Sequence, residues 1–278
     1  MIRSMTTAVN TMNQLQTQFD IIGNNLANSA TTGYKSSDAN FHELLYQQFT
    51  NDKADTAQRQ SPAGIRYGVG AALGPAKMNW KVGSLQSTGR ELDFALTEPK
   101  QYFNVIMPGE GGEQTVYTRA GNFYVSPVEG GNLMLVNEGG YPVANSAGQP
   151  ITFADNVKSY NMLPGGVLEV THNDGNVQRI EMGVTTLERP NLMKSISAGL
   201  LALPENVAEL GVAIGDILTE MNGANRNRIG MENGKLEASN VNYEKEMTDL
   251  INVQRSYQFN ARTVTLADQM LGLINNIR

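Results

Sequence analysis

The chain has 278 residues, 40% of them hydrophobic and 17% charged, with no cysteine, two histidines and a formal charge of -6. Its apolar content excludes a wholly disordered or collagen-like chain, and the lack of cysteine excludes disulfides, thiolate catalysis and cysteine-ligated zinc or iron-sulfur centres. All 10 prolines lie between Pro62 and Pro204, and 25 of the 28 glycines between Gly64 and Gly234, so the two ends and the middle are built differently.

At the N-terminus, Met5, Ala8, Met12, Leu15, Phe19, Ile22 and Leu26 follow steps of three and four, a narrow stripe with a seven-residue period. The spacing predicts a helix from Met5 to Asn28, capped by Ser4 and stopped by the Asn-rich segment before Gly33. Phe41 to Phe49 has a helix-like pattern, and the polar stretch from Thr50 to Ser61 reads as a loop. The period then shortens. The segments 93–96, 102–106, 115–118, 122–125, 132–136, 167–170 and 177–180 are short apolar runs bounded by Gly, Pro, Asn and Asp, the pattern of antiparallel strands. Asn173-Asp174-Gly175-Asn176 predicts a hairpin turn, because Asp-Gly readily adopts positive φ. Residues 205–221 regain a helical period, interrupted by Gly211 and Gly215.

At the C-terminus, Tyr243, Leu250, Tyr257, Val264 and Leu271 stand seven residues apart, the signature of a coiled-coil seam, with Ser239 or Asn240 placed to cap the helix. Proline, which would break such a helix, is absent from both ends. The fold class is therefore α+β. A terminal helical assembly domain (1–40 and 239–278) carries the seam Met5, Met12, Phe19, Leu26, Tyr243, Leu250, Tyr257, Val264 and Leu271. Connectors at 41–80 and 205–238 flank a β-rich domain at 81–204. Without partners, the terminal helices are expected to be frayed or paired only with each other.

Charge is uneven. Residues 1–40 and 241–278 each sum to zero, so the middle holds the whole -6. That balance argues against a nucleic-acid partner, which requires a basic surface, and neutral ends can pack against copies of themselves with little repulsion. No stretch approaches the roughly 18 apolar residues of a membrane span. The N-terminus lacks a signal peptide's apolar run, so the expectation is a chain that stays cytoplasmic or leaves by a route without a cleaved signal.

Sites for chemistry are sparse. His42 and His172 have no metal-ligand neighbour at useful spacing and no nucleophile motif beside them. The glycine segments at Gly68 and Gly74 match neither a dinucleotide nor a phosphate loop. No catalytic residue, metal site or cofactor is expected. Carboxylate pairs such as Glu91 and Asp93 keep one enzymatic alternative open, a glycan hydrolase, which needs only two acids at a set separation.

Three segments together resemble the bacterial flagellar rod and hook proteins, with the distal rod subunit the nearest pattern. In DIIGNNLANSATTGYK the matching residues are Asn24, Asn25, Ala27, Asn28, Gly33, Tyr34 and Lys35. GSLQSTGRELDFAL and YTRAGNF supply Thr88, Gly89, Asp93, Tyr117, Thr118, Arg119, Gly121 and Phe123, and GKLEASNV supplies Leu236, Glu237, Ser239, Asn240 and Val241. The pattern departs at Glu98 to Phe103 and around Leu187 to Asn191. The resemblance implies a structural, non-enzymatic subunit exported through the flagellar type III apparatus. It would stack with copies of itself, other rod proteins and the hook protein into an extracytoplasmic basal-body tube that transmits torque. Terminal helices would line the tube and β-domains would lie outside. The alternatives are the hook protein or another rod component of the same family, and the cell-wall glycan enzyme.

Overall fold

A computed structural model describes residues 2–44, 47–49, 65–68, 70–109, 112–128, 130–197, 199–204 and 211–276. The fold is α+β, in two units. The first contains Met1–Ala27, Ser37–Lys77 and Asn242–Arg278; the second contains Asn28–Ser36 and Met78–Val241.

Two long helices dominate the first unit, an N-terminal helix Ile2–Ala27 and a C-terminal helix Tyr243–Asn276. They run antiparallel, since Asn25 bonds Glu246 while Leu15 lies beside Val253 and Tyr257. Leu15, Ile22 and Val253 are buried between them with Leu250 packed alongside. The N-terminal helix begins before Ser4, which therefore does not cap it. At the other helix the cap is Asn242: its side chain accepts the Lys245 N–H at 3.1 Å and its carbonyl accepts that of Glu246. Neither Ser239 nor Asn240 fills that role.

The helix-like pattern at Phe41 to Phe49 is overturned. Phe41–Glu43 is a strand paired with Ala71–Leu73, and Gln47–Phe49 pairs with Ile65–Tyr67. Gln14 of the N-terminal helix accepts the Leu73 N–H through its side chain at 2.9 Å, so tertiary pairing outweighs local propensity here. The loop expected at 50–61 lies outside the described residues.

Antiparallel strands make the second unit. A six-stranded sheet runs Lys194–Ser197, Leu200–Ala202, Gly112–Thr118, Gln101–Gly109, Val184–Leu187, Leu218–Glu220. Two three-stranded sheets, Tyr124–Val128 with Asn132–Val136 and Thr152–Ala154, and Val157–Leu163 with Val167–His172 and Val177–Glu181, close over a core of Phe94, Phe103, Phe123, Leu135, Leu168 and Met182. Phe103 and Phe123 meet edge to face with centroids 5.1 Å apart. Gly175 sits at φ +78° in the expected hairpin turn. Of the helical period at 205–221, the described residues keep one turn, Ile214–Ile217. The chain then extends as Leu218–Glu220 to pair with Val184–Leu187, burying Ile217 and Leu218 in the sheet.

Two short strand pairs bring the C-terminal segment into this unit. Met231–Asn233 pairs with Phe94–Leu96, and Lys235–Glu237 pairs with Leu85–Ser87. Sequence motifs more than a hundred residues apart thus lie side by side.

Candidate functional site

On the C-terminal helix the apolar residues form three lines, each with a seven-residue step. One line is mixed, with Glu246, Val253 and Ala267 buried and the half-buried Asn260 between the last two, while Ala8, Leu15 and Ile22 are buried at the same spacing on the N-terminal helix. At about 100° per residue, the line Tyr243, Leu250, Tyr257, Val264, Leu271 lies about 60° to one side of this contact. Leu250, Val264 and Leu271 are half-buried there, and Tyr243 and Tyr257 exposed. On the N-terminal helix Met5, Met12 and Leu26 are half-buried and Phe19 is exposed. The chain's own helix contact therefore uses Ala8, Leu15 and Ile22 of the predicted N-terminal stripe, and on the C-terminal helix the line beside Tyr243 to Leu271. A third line, Phe259, Leu266 and Leu273, was missed although its spacing was visible; these side chains are 66, 58 and 64% exposed. A groove of about 370 Å³ lined by Leu15, Phe19, Val253 and Tyr257 runs along the pair. One helix pair thus leaves two apolar seams and a groove open, a large apolar face for a single chain to leave in water.

Polar groups close one end of the pair. Asn25, 1% exposed, donates to the Ser37 carbonyl and accepts the Ser37 N–H, each at 2.9 Å, and Lys245 pairs with Asp38 at 3.0 Å. Asn24 and Ala27 lie on the exposed side of the same helix end. Burial pushes the Glu246 carboxyl above its ordinary value of 4.5, opposed by its bond to Asn25 and by Lys245; Asp38 and Asp249 add to the upward push. The folded chain therefore binds this proton more tightly than the unfolded one, and the stability it confers below pH 4.5 is lost as pH rises through the folded value. Glu246→Gln is expected to raise the thermal midpoint at neutral pH and to leave it unchanged at low pH, checked by melting curves across that range.

In the second unit the three motifs converge on Glu237, whose side chain is 1% exposed. Its Oε1 accepts from Lys35 Nζ and, at 2.8 Å, from the Gly83 N–H; its Oε2 accepts from Arg119 Nε at 2.7 Å. Arg119, also 1% exposed, further donates to the carbonyls of Leu96, Glu98 and Gln101 at 2.7 to 2.9 Å. Lys35 Nζ reaches the Lys81 carbonyl at 2.7 Å. Burial and the Arg119 charge push the Lys35 ammonium below its ordinary pKa, against the pull of Glu237.

Neighbouring motif residues hold this junction. Asn240 accepts the Ser36 N–H at 2.7 Å and donates to the Asn79 carbonyl at 2.8 Å, and its own N–H meets the Tyr34 carbonyl. Asn28 caps a turn by accepting from Thr31, and Ser239 accepts the Val241 N–H. Gly33, at φ +69°, lies so near the Arg119 backbone that a Cβ would come within 2.6 Å of its carbonyl carbon. Thr88 donates to Asp93, Asp93 pairs with Arg90, and Gly89 N–H meets the Gly234 carbonyl. Thr118 accepts the Ala120 N–H, Tyr117 packs with Tyr102 and Leu201, and Leu236 is half-buried in its short strand. The acids offered for glycan hydrolysis have structural partners: Asp93 is buried in its ion pair, and Glu91 accepts the Tyr160 N–H at 2.9 Å.

Comparison with known proteins finds matches at both ends and in the middle of the chain. Residues 5–35 match the flagella basal body rod protein family, 98–170 the D1 domain of the flagellar hook protein FlgE/F/G, and 232–277 the C-terminal family of flagellar basal body rod FlgEFG proteins. The flagellar hook-basal body complex protein FlhP of Bacillus subtilis is 44% identical over 286 residues, covering 100% of both chains. The flagellar basal-body rod protein FlgG of the same organism is 30% identical, again over 100% of both chains, and FlgG of Caulobacter vibrioides 31%. The chain belongs to the flagellar basal-body rod and hook protein family.

Proposed function

We propose that the chain is a structural subunit of the bacterial flagellar basal-body rod that self-assembles through its terminal helices and transmits torque without substrate turnover. The exposed line Phe259, Leu266, Leu273 carries this reading, because a helix already paired on another face has no use for it within one chain. Neighbouring helices packed into that seam and into the groove beside Phe19 and Tyr257 would form a coiled-coil wall. An interface of this head-to-tail kind propagates as a helical polymer. Export by the flagellar type III route, contact with other rod proteins and the hook protein, and an extracytoplasmic basal-body location follow from the same reading.

Within the family, the full-length likeness to both FlhP and FlgG supports the distal rod position, with another rod component or the hook protein as the alternative. Tagging the subunit in isolated basal bodies separates these positions.

Leu266→Asp and Leu273→Asp test the assembly role. Both side chains are exposed, so the purified monomer should melt within about 0.5 kcal/mol of the parent. In the polymer each charge would displace about 1.5–3 kcal/mol of apolar burial per contact. Rod completion and motility should be lost. Normal rods and swimming cells carrying both substitutions would refute the proposal.

A further inference from the structure

The Lys35, Arg119 and Glu237 cluster is buried within the second unit, and the assembly surfaces do not use it. We propose that it is an order-dependent latch, which docks the strap Asn28–Ser36 firmly into the β unit only after the chain's C-terminal segment is in place. The strap is the stretch that follows the N-terminal helix, and Glu237 to Val241 is the stretch that precedes the C-terminal helix, so the latch joins the chain segments next to both.

The case rests on an asymmetry between the two cations. Arg119 has three backbone carbonyls besides Glu237, and with Glu237 it forms a neutral, fully bonded pair that needs nothing from the strap. Lys35 has the Glu237 carboxylate and one carbonyl, that of Lys81. Burying a lysine whose side chain is 4% exposed without its counter-ion costs its charge or its solvation, so the strap docks weakly until Glu237 arrives. The strap's backbone leads to the same place. Gly33 N–H bonds the Glu237 carbonyl at 2.8 Å, and Ser36 N–H bonds the Asn240 side chain. Synthesis makes the strap early and these partners late.

The latch is also reversible. Its two cations share one anion, so docking the strap adds a net positive charge to the interior; burial first, and then the Arg119 charge, hold the Lys35 pKa down. Lys35 can leave while the neutral Arg119–Glu237 pair stays, which makes the strap a separate opening unit rather than part of the global core. A chain that closes its β unit only when complete suits a subunit that contributes both terminal helices, though the latch itself does not depend on the assembly reading.

Amide hydrogen exchange on the full chain tests this. In Glu237→Gln the Gly33 and Ser36 amides should exchange about 100-fold faster, the order expected when one partner of a buried pair is removed. The Ile106 and Leu135 amides, bonded to Pro142 and Ile151 in the core, should change by less than about threefold. Lys35→Ala, which leaves the Arg119–Glu237 pair whole, should give the same pattern and decides the matter if the first variant does not fold. Equal acceleration of strap and core in Lys35→Ala would make the cluster a global staple and overturn the latch. So would unchanged exchange at Gly33 and Ser36.

Discussion

Arg119→Leu is expected to lower the stability of the β unit by about 3–5 kcal/mol, the range for breaking a buried ion pair. In a unit of this size that is roughly 10 °C in thermal midpoint. Leucine would leave Glu237 with Lys35 and the Gly83 N–H alone, and would strip a donor from each of the carbonyls of Leu96, Glu98 and Gln101. Tyr102, whose ring lies 5.9 Å from the guanidinium carbon, would lose its cationic neighbour. Arg119→Lys is expected to recover less than half of the loss. An ammonium restores the charge but cannot span a carboxylate and three carbonyls as the planar fork does. Denaturant unfolding of both variants measures the difference; a lysine variant as stable as the parent would show that charge alone matters. The effect should spread through the core, because Arg119 extends the central strand Gly112–Thr118, in contrast to the local loosening expected when Lys35 is removed.

What the sequence conveyed depended on whether a feature was local. Two proline-free heptad patterns were enough to place the terminal helices within a few residues, and the Asp-Gly turn and seven strands followed from short-range spacing, whereas strands such as Val157–Leu163, Val184–Leu187 and Leu218–Glu220 did not. The seam was harder. A seven-residue period fits several lines on a 3.6-residue helix, and only the partner decides which faces inward. The line containing Tyr243 was the most regular in the sequence, yet the chain's own helix buries Val253 and Ala267. Phe41 to Phe49 failed for a related reason, as its strands exist by pairing with residues 65–73, which no local pattern announces. The motif junction lay between these extremes. Lys35, Arg119 and Glu237 were all legible as motif residues, but their separation by 202 and 118 positions hid that they form one cluster. The cap at Asn242 was hidden by two better-placed candidates, because Asn240 is drawn into the β unit to hold Ser36.

Gly121→Ala is the second substitution expected to be severe, at about 3 kcal/mol or more, the upper range for overpacking. This glycine does not have a positive φ; its constraint is space. A Cβ there would overlap the Phe94 carbonyl oxygen and stand 3.2 Å from the Phe103 ring. That carbonyl belongs to a strand whose other edge is held by Met231–Asn233, so it cannot swing aside as a flexible side chain could. Relief would require the backbone at 121 to retreat, which breaks the bond from Phe94 N–H to the Gly121 carbonyl at 3.0 Å and disturbs the bridge between Asp93 and Asn122. Phe123 would shift with it, opening the edge-to-face contact with Phe103 at the middle of the core. Gly175→Ala makes the control: nothing lies within 4 Å of its Cβ, so only the positive φ of +78° is penalised, at about 1 kcal/mol. Urea unfolding of both variants should therefore rank Gly121→Ala well below Gly175→Ala. Equal midpoints would mean that the chain yields at 121, and that the close approach of the YTRAGNF and LDFAL segments is not what holds the core together.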